Sequence, residues 1–205
     1  MRYSCLVCLI LVCLVSLSRA EEYPFHSEQD IANAQSGELL VKTGVFEIGD
    51  ERYDADYCTM IVPENRNNKN SRLIHLPVVR ICSRNTEPLE PIFLLTGGPG
   101  LSNIWQDPPE WLLVNHDIVM VGYRGFDGSV FLECPEASDA VQVASAPLSS
   151  ENIKKLGTAL HKSYERLKSE GVDIDGYTMV EVADDIDNAR KKLGYEKANL
   201  YSISY

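Results

Sequence analysis

The chain has 205 residues, with 19 Lys and Arg against 30 Asp and Glu, a formal net charge of −11. Such a charge opposes binding to nucleic acid or to an anionic membrane, and it favours solubility without dictating a fold. Of its six cysteines, the three beyond the N-terminal segment, Cys58, Cys82 and Cys134, form no C-x-x-C pair, and no spaced histidine pair exists, so a zinc site is not expected.

The N-terminus predicts a secretory signal peptide over residues 1–20. Arg2 gives a positive start, Leu6 to Leu17 is almost unbroken apolar sequence, and Ser18-Arg19-Ala20 places small residues before a polar Glu21-Glu22. The apolar run falls short of the roughly 18 residues that span a bilayer, so no stable membrane insertion is expected after cleavage near Ala20. Val7 and Val12 precede Cys8 and Cys13, which does not suit a lipid-attachment site. The expected destination is secretion or a periplasm. Removing Arg2 and Arg19 from the 19 basic residues leaves 17 against 30 acids. Cys58, Cys82 and Cys134 remain, enough for one disulfide and a thiol left over.

Residues 21–54 read as a polar arm or early helix followed by a first strand, Val41 to Ile48. Tyr57 to Val62 and Arg72 to Cys82 are strand-like around the polar turn 64–70, which predicts a hairpin. Pro77 places the second of these near an edge or a bulge. Pro91 to Thr96, Asp117 to Tyr123 and Ala198 to Ile203 are short apolar runs, the signature of buried strands in a parallel sheet. Leu132 to Ser149 has no pattern and reads as a surface excursion. A helix is predicted over Ser150–Ser169, with Ile153, Leu156, Leu160, Tyr164 and Leu167 on its apolar face and Gly171 closing it. A second follows, with Thr178 and Glu181 as a capping box, Met179, Val182, Ala183, Ile186, Ala189 and Leu193 as its buried stripe, and Gly194 as its stop. The order gives an α/β class, antiparallel strands first and parallel strands after.

Two motifs carry chemistry. Gly97-Gly98-Pro99-Gly100 ends a buried strand, where backbone N–H groups free of side chains can face a developing oxyanion. Ser204 ends the last strand, where a sharp strand-to-helix elbow lifts a serine hydroxyl clear of the sheet. In an α/β-hydrolase these parts come in this order. Ser204 is then the candidate nucleophile, and Gly97 or Gly98 with Tyr205 are the candidate oxyanion donors. His26, His75, His116 and His161 all precede Ser204, whereas that fold places its acid and histidine after the serine, so they are expected in ordinary surface roles.

Leu94-Leu-Thr-Gly-Gly-Pro-Gly-Leu-Ser102 resembles the G-G-P-G segment of the prolyl iminopeptidase and tripeptidyl aminopeptidase family of α/β-hydrolases. Asp117 to Gly125 resembles that family's D-x-R-G segment, and Asp184 to Tyr201 its helix leading into G-x-S-Y-G. Cys58-Thr-Met-Ile-Val-Pro63 and Leu132-Glu-Cys134-Pro135 are similar to its secreted branch. The resemblance covers residues 55–205 and implies the N-terminal half of a mixed, mostly parallel sheet, truncated at the nucleophile elbow. It implies a secreted serine aminopeptidase working through an acyl-enzyme on a peptide, without metal or cofactor. A small ester or lactone as substrate stays open. So does a non-catalytic secreted product that aggregates or self-associates through an open sheet edge. Thr96 stands where the family often has histidine, and Gly122 where it has the acid of D-x-R-G.

Overall fold

The computed structural model describes residues 25–98, 101–104, 106–142 and 149–204; the predicted signal peptide lies outside them. The elements are α1 (Glu28–Ile31), β1 (Leu39–Ile48), β2 (Glu51–Pro63), β3 (Leu73–Ile81), β4 (Leu89–Thr96), β5 (His116–Val121), α2 (Pro135–Gln142), α3 (Ser150–Ser169), α4 (Met179–Lys192) and β6 (Asn199–Ile203). The fold is α/β, built on one mixed sheet of six strands in the order β1-β2-β3-β5-β4-β6. Its pairings are mostly antiparallel, which corrects the expected parallel majority. β1–β2, β2–β3 and β3–β5 are antiparallel, while β4 is parallel to both β5 and β6. The long N-terminal strands form a meander, and only the short apolar runs are parallel.

Local chemistry explains the meander. Ile48 pairs with Glu51 across the two-residue turn Gly49-Asp50, and Gly49 has φ +57°, a sign that suits the twist of a hairpin. The expected hairpin of β2 and β3 forms in register from Ala55↔Ile81 to Pro63↔Leu73. β3 is interior overall, yet its ladder to β5 covers only Val78 to Ile81. The Pro77 carbonyl accepts from the Gly122 N–H at 2.8 Å on that side. Its missing donor therefore falls where β5 has ended, which makes it an edge position locally.

The core lies on both faces of the sheet. One cluster joins Tyr57, Val79, Ile81, Ile92, Leu113 and Met120. The other joins Met60, Leu76, Val78, Phe93, Val119 and Ala189. β6 is an exception, because it pairs on one side only. Leu200 is 66% and Ile203 55% exposed, so the strand is an exposed edge and not the buried strand its composition suggests. A groove of about 450 Å³ runs beside it, lined by Phe93, Met179, Ala183, Ile186 and Leu200.

The helices also depart from their predicted faces. Residues of the supposed excursion form α2, and α3 packs on it. α3 buries Ala159, Ser163 and Leu167, whereas Ile153, Leu160 and Tyr164 are exposed. The contact is polar at its centre. Glu136 accepts from Ser163 Oγ at 2.7 Å and from Arg166 Nε at 3.0 Å. Arg166 and Ser163 together hold the Glu136 carboxyl at about 2, far below its ordinary value. In α4, Thr178 caps the Glu181 N–H at 3.3 Å, but the Glu181 carboxylate turns to Arg66 and does not complete the predicted box. The buried positions are Glu181, Asp185 and Ala189, while Met179 is exposed.

Cys58, Cys82 and Cys134 are free thiols, so the expected disulfide among them does not form. Cys58 pairs with Val78 in the middle of the hairpin, while the Cys82 N–H bonds the Asp54 carbonyl. Four residues of strand, about 13 Å, separate these levels, beyond disulfide reach. Burial, with Asp56 nearby, pushes the Cys58 thiol up to about 12.

Candidate active site

Ser204 is the only non-glycine residue with positive φ among the described residues, at +60°. A side chain in the left-handed region costs roughly 1–2 kcal/mol, and such outliers gather at functional sites. It follows directly on β6 and is exposed. The left-handed backbone there departs from the extended path of β6.

The glycine turn meets Ser204 through the β4–β6 ladder. Thr96 pairs with Ile203, and the Gly97 N–H donates to the Ile203 carbonyl at 2.8 Å. That bond occupies the Gly97 N–H. Gly98 has φ +110°, a conformation that asks for glycine. Its carbonyl accepts from the Leu101 N–H at 3.1 Å, closing the turn. Pro99, Gly100 and Tyr205, the other predicted oxyanion donor, lie outside the described residues.

Topology marks the same spot. From β4 the chain moves to β5 on one side, then returns over β4 to β6 on the other. Open α/β sheets leave a crevice at the carboxyl ends of their strands where the winding direction reverses. Gly97, Gly98 and Ser204 follow the carboxyl ends of β4 and β6, the two strands on either side of that reversal.

The four histidines are not part of it. His26 Nδ1 lies 3.2 Å from Thr59 Oγ1, and His75 Nε2 is 3.7 Å from Glu28. β3, which carries His75, stands three strand spacings from β6, about 14 Å. His116 Nδ1 contacts the Glu90 carbonyl at 2.7 Å at the start of β5. His161 stacks on Tyr164. Among the described residues no group of three or more His, Cys, Asp or Glu is placed to hold a metal ion, and no helix is long and apolar enough to cross a membrane.

Sequence reasoning missed the frame around the turn. Past Phe93↔Val119 the ladder of β4 and β5 ends, and Asn103, wholly buried, spans the gap. Its Nδ2 donates to the Leu94 and Val121 carbonyls at 3.0 and 2.9 Å, and its Oδ1 accepts from the Thr96 N–H at 2.9 Å. Tyr123 OH donates to the Thr96 carbonyl at 3.0 Å. Asp127 Oδ2 accepts from the N–H groups of Tyr123 and Asn103 at 2.8 and 3.1 Å. Burial raises the Asp127 carboxyl above its ordinary value, against hydrogen bonds from Ser102, Asn103 and Tyr123.

No protein-family model matches the chain, and no curated protein matches it significantly. The arrangement of its own residues therefore carries the functional reading.

Behind the site, Arg124 is buried at the junction of β2, the loop after β5 and α4. Its Nη1 donates to the Glu64 and Gly176 carbonyls at 2.7 and 2.6 Å, and its Nε and Nη2 hold Asp185. Glu64, itself buried, accepts from Arg72 Nε at 2.8 Å and from Tyr177 OH at 2.6 Å. Burial alone would raise the Glu64 carboxyl; the bonds from Arg72, Tyr177 and the Asp173 N–H outweigh it and hold it below its ordinary value. The cluster fixes the base of the loop that carries Tyr123 and Asp127.

Proposed function

We propose that this chain carries the nucleophile and oxyanion half of an α/β-hydrolase site, that of a secreted serine aminopeptidase. The observation that carries the reading is the left-handed backbone of Ser204 at the end of β6, tied through Ile203 to the Gly97-Gly98 turn. The strand order supports it, because a parallel trio β5-β4-β6 with β4 in the middle is what places that turn beside that serine.

In this reading Ser204 Oγ bonds to the substrate carbonyl carbon as its proton passes to a base. The Gly98 N–H, with that of Tyr205, stabilises the resulting oxyanion. Collapse expels the amine, which takes the proton, and water then releases the acyl group. The acid and histidine of such a triad follow the serine in chain order, and the histidines at 26, 75, 116 and 161 are not assigned to that role. The resemblance of the glycine turn and the Arg124 loop to aminopeptidases favours a peptide, with an ester or lactone as the competing substrate.

A serine-directed aryl fluorophosphonate tests the reading. Labelling of the protein that is lost in Ser204→Ala supports it, and labelling that survives the substitution refutes it. Peptides with free and with blocked amino termini then separate aminopeptidase from esterase action.

One observation favours a second reading, a non-catalytic secreted protein that self-associates. The β6 edge carries no charge or proline and exposes Leu200 and Ile203, whereas β1 at the opposite edge carries Lys42 and Glu47. Charges and prolines are what guard an edge against pairing. Sedimentation across a concentration series, with Tyr201→Pro as the edge-blocking variant, tests it.

A further inference from the structure

We infer that Asn103 and Asp127 are positioning residues of the candidate site, setting the Gly97-Gly98 turn so that the Gly98 N–H faces the carbonyl attacked by Ser204. The inference rests on the proposed hydrolase reading and adds the residues that orient its oxyanion donor.

The turn is held at both roots. On its entering side Thr96 bonds Asn103 Oδ1 and Tyr123 OH, while Gly97 bonds Ile203. On its leaving side Ser102 and the Asn103 N–H bond Asp127. Asn103 spends both Nδ2 hydrogens on carbonyls of two different strands, Leu94 of β4 and Val121 of β5. It thus replaces the ladder bonds that those strands lose as they separate, and it fixes how far they separate. A buried carboxamide with every polar atom satisfied has one low-energy orientation, so the turn built on it inherits that orientation. Donors aimed in advance at a developing charge need no reorganisation during reaction.

Asp127 explains the departure at Gly122. A Cβ on Gly122 would lie 2.7 Å from Asp127 Cβ and 2.7 Å from Pro77 Cγ. The space beside the strand end is already filled, from the far side of the loop, by a residue whose carboxylate bonds the Tyr123 N–H next to Gly122. Asp127 thus occupies the space that a side chain at position 122 would need.

The test combines two measurements on the whole mature chain and on Asp127→Asn, which keeps the shape, and Asp127→Ala. Asn103→Ala is added if it folds. Amide exchange over residues 94–104 is expected to accelerate about tenfold in the Asp127 variants while the β2–β3 hairpin is unchanged. The limiting rate of fluorophosphonate labelling at Ser204 is expected to fall about tenfold, more in Ala than in Asn, with the half-saturating probe concentration unchanged. Unchanged exchange in this segment overturns the inference. So does a lower melting temperature with an unchanged limiting rate, which marks a merely structural role. Labelling that survives Ser204→Ala sinks the hydrolase reading and the positioning role with it, whereas Ser204-dependent labelling with unchanged exchange sinks the positioning role alone.

Discussion

Arg124 and Asp185 form a two-point ion pair in the protein interior, Nε to Oδ2 at 2.7 Å and Nη2 to Oδ1 at 2.8 Å, with side chains 1% and 2% exposed. Asp185 also pairs with Arg66 and Arg124 with Glu181, so removing one partner weakens the network without stranding a charge, and Arg124→Ala or Asp185→Asn should cost about 1–3 kcal/mol in urea unfolding. Replacing both by apolar residues should not restore stability. The Glu64 and Gly176 carbonyls would still lose their shared donor, and unmade buried hydrogen bonds cost about 1–3 kcal/mol.

Gly176 and Gly157 should respond oppositely to alanine. A Cβ at 176 would meet the Glu64 carbonyl oxygen at 2.0 Å, whereas one at 157 meets nothing within 4 Å. Gly176→Ala forces backbone apart and should cost about 3 kcal/mol or more. Gly157→Ala lies in α3 and should gain about 0.5–1 kcal/mol. Thermal unfolding of the two variants checks the pair.

The strain at Ser204 predicts a trade of stability for reactivity. Ser204→Gly should be more stable by about 1 kcal/mol, because glycine adopts φ +60° freely, and should not be labelled by a fluorophosphonate. Ser204→Val should be less stable than both. Equal stability in all three would show that the left-handed turn is not maintained in solution.

Glu64 should make stability pH-dependent on the acid side. Its folded carboxyl lies below the ordinary 4.5. Its contribution is therefore complete above about pH 4.5 and disappears as pH falls through the lowered value. Glu64→Gln should cost about 2 kcal/mol near pH 7, with the gap to wild type closing in acid. Asp127 runs the other way, since its raised carboxyl favours the fold in acid and loses that contribution as pH climbs. Melting temperatures of wild type, Glu64→Gln and Asp127→Asn from pH 2.5 to 7 separate the two slopes, a range chosen around the usual carboxylate values of about 4.

Cys58, held near 12 by burial, should resist alkylation at pH 8 in the folded protein. Site-resolved mass spectrometry after iodoacetamide should find it modified only after denaturation, with Cys134 reacting first.

The strands were legible because their signal is local. Alternation and short apolar runs located all six, five of them within a few residues, whereas β2 begins at Glu51, six residues before the expected Tyr57. The faces of the helices were not legible. Asp185 and Glu181 look like the solvated side of α4, and only the arginines at 66 and 124, distant in sequence, make that side the buried one. α3 was misread because it packs on α2 through Ala159 and Ser163, and small residues leave no hydrophobic stripe to follow. Asn103 gives no signal at all, since its role exists only where two strands part. Ser204 and the glycine turn were visible because both depend on backbone geometry that few residue types tolerate.

The pairing of Ile92 to Thr96 with Asn199 to Ile203 joins segments about a hundred residues apart. Closing so long a loop carries a chain-entropy cost that nearer contacts do not, and distant pairings slow folding. The hairpins and the α2–α3 pair can form as the chain emerges, but the serine and its glycine turn meet only when β6 docks. Any reactivity at this site would thus wait for β6 to dock on β4, after the nearer contacts of the sheet have formed.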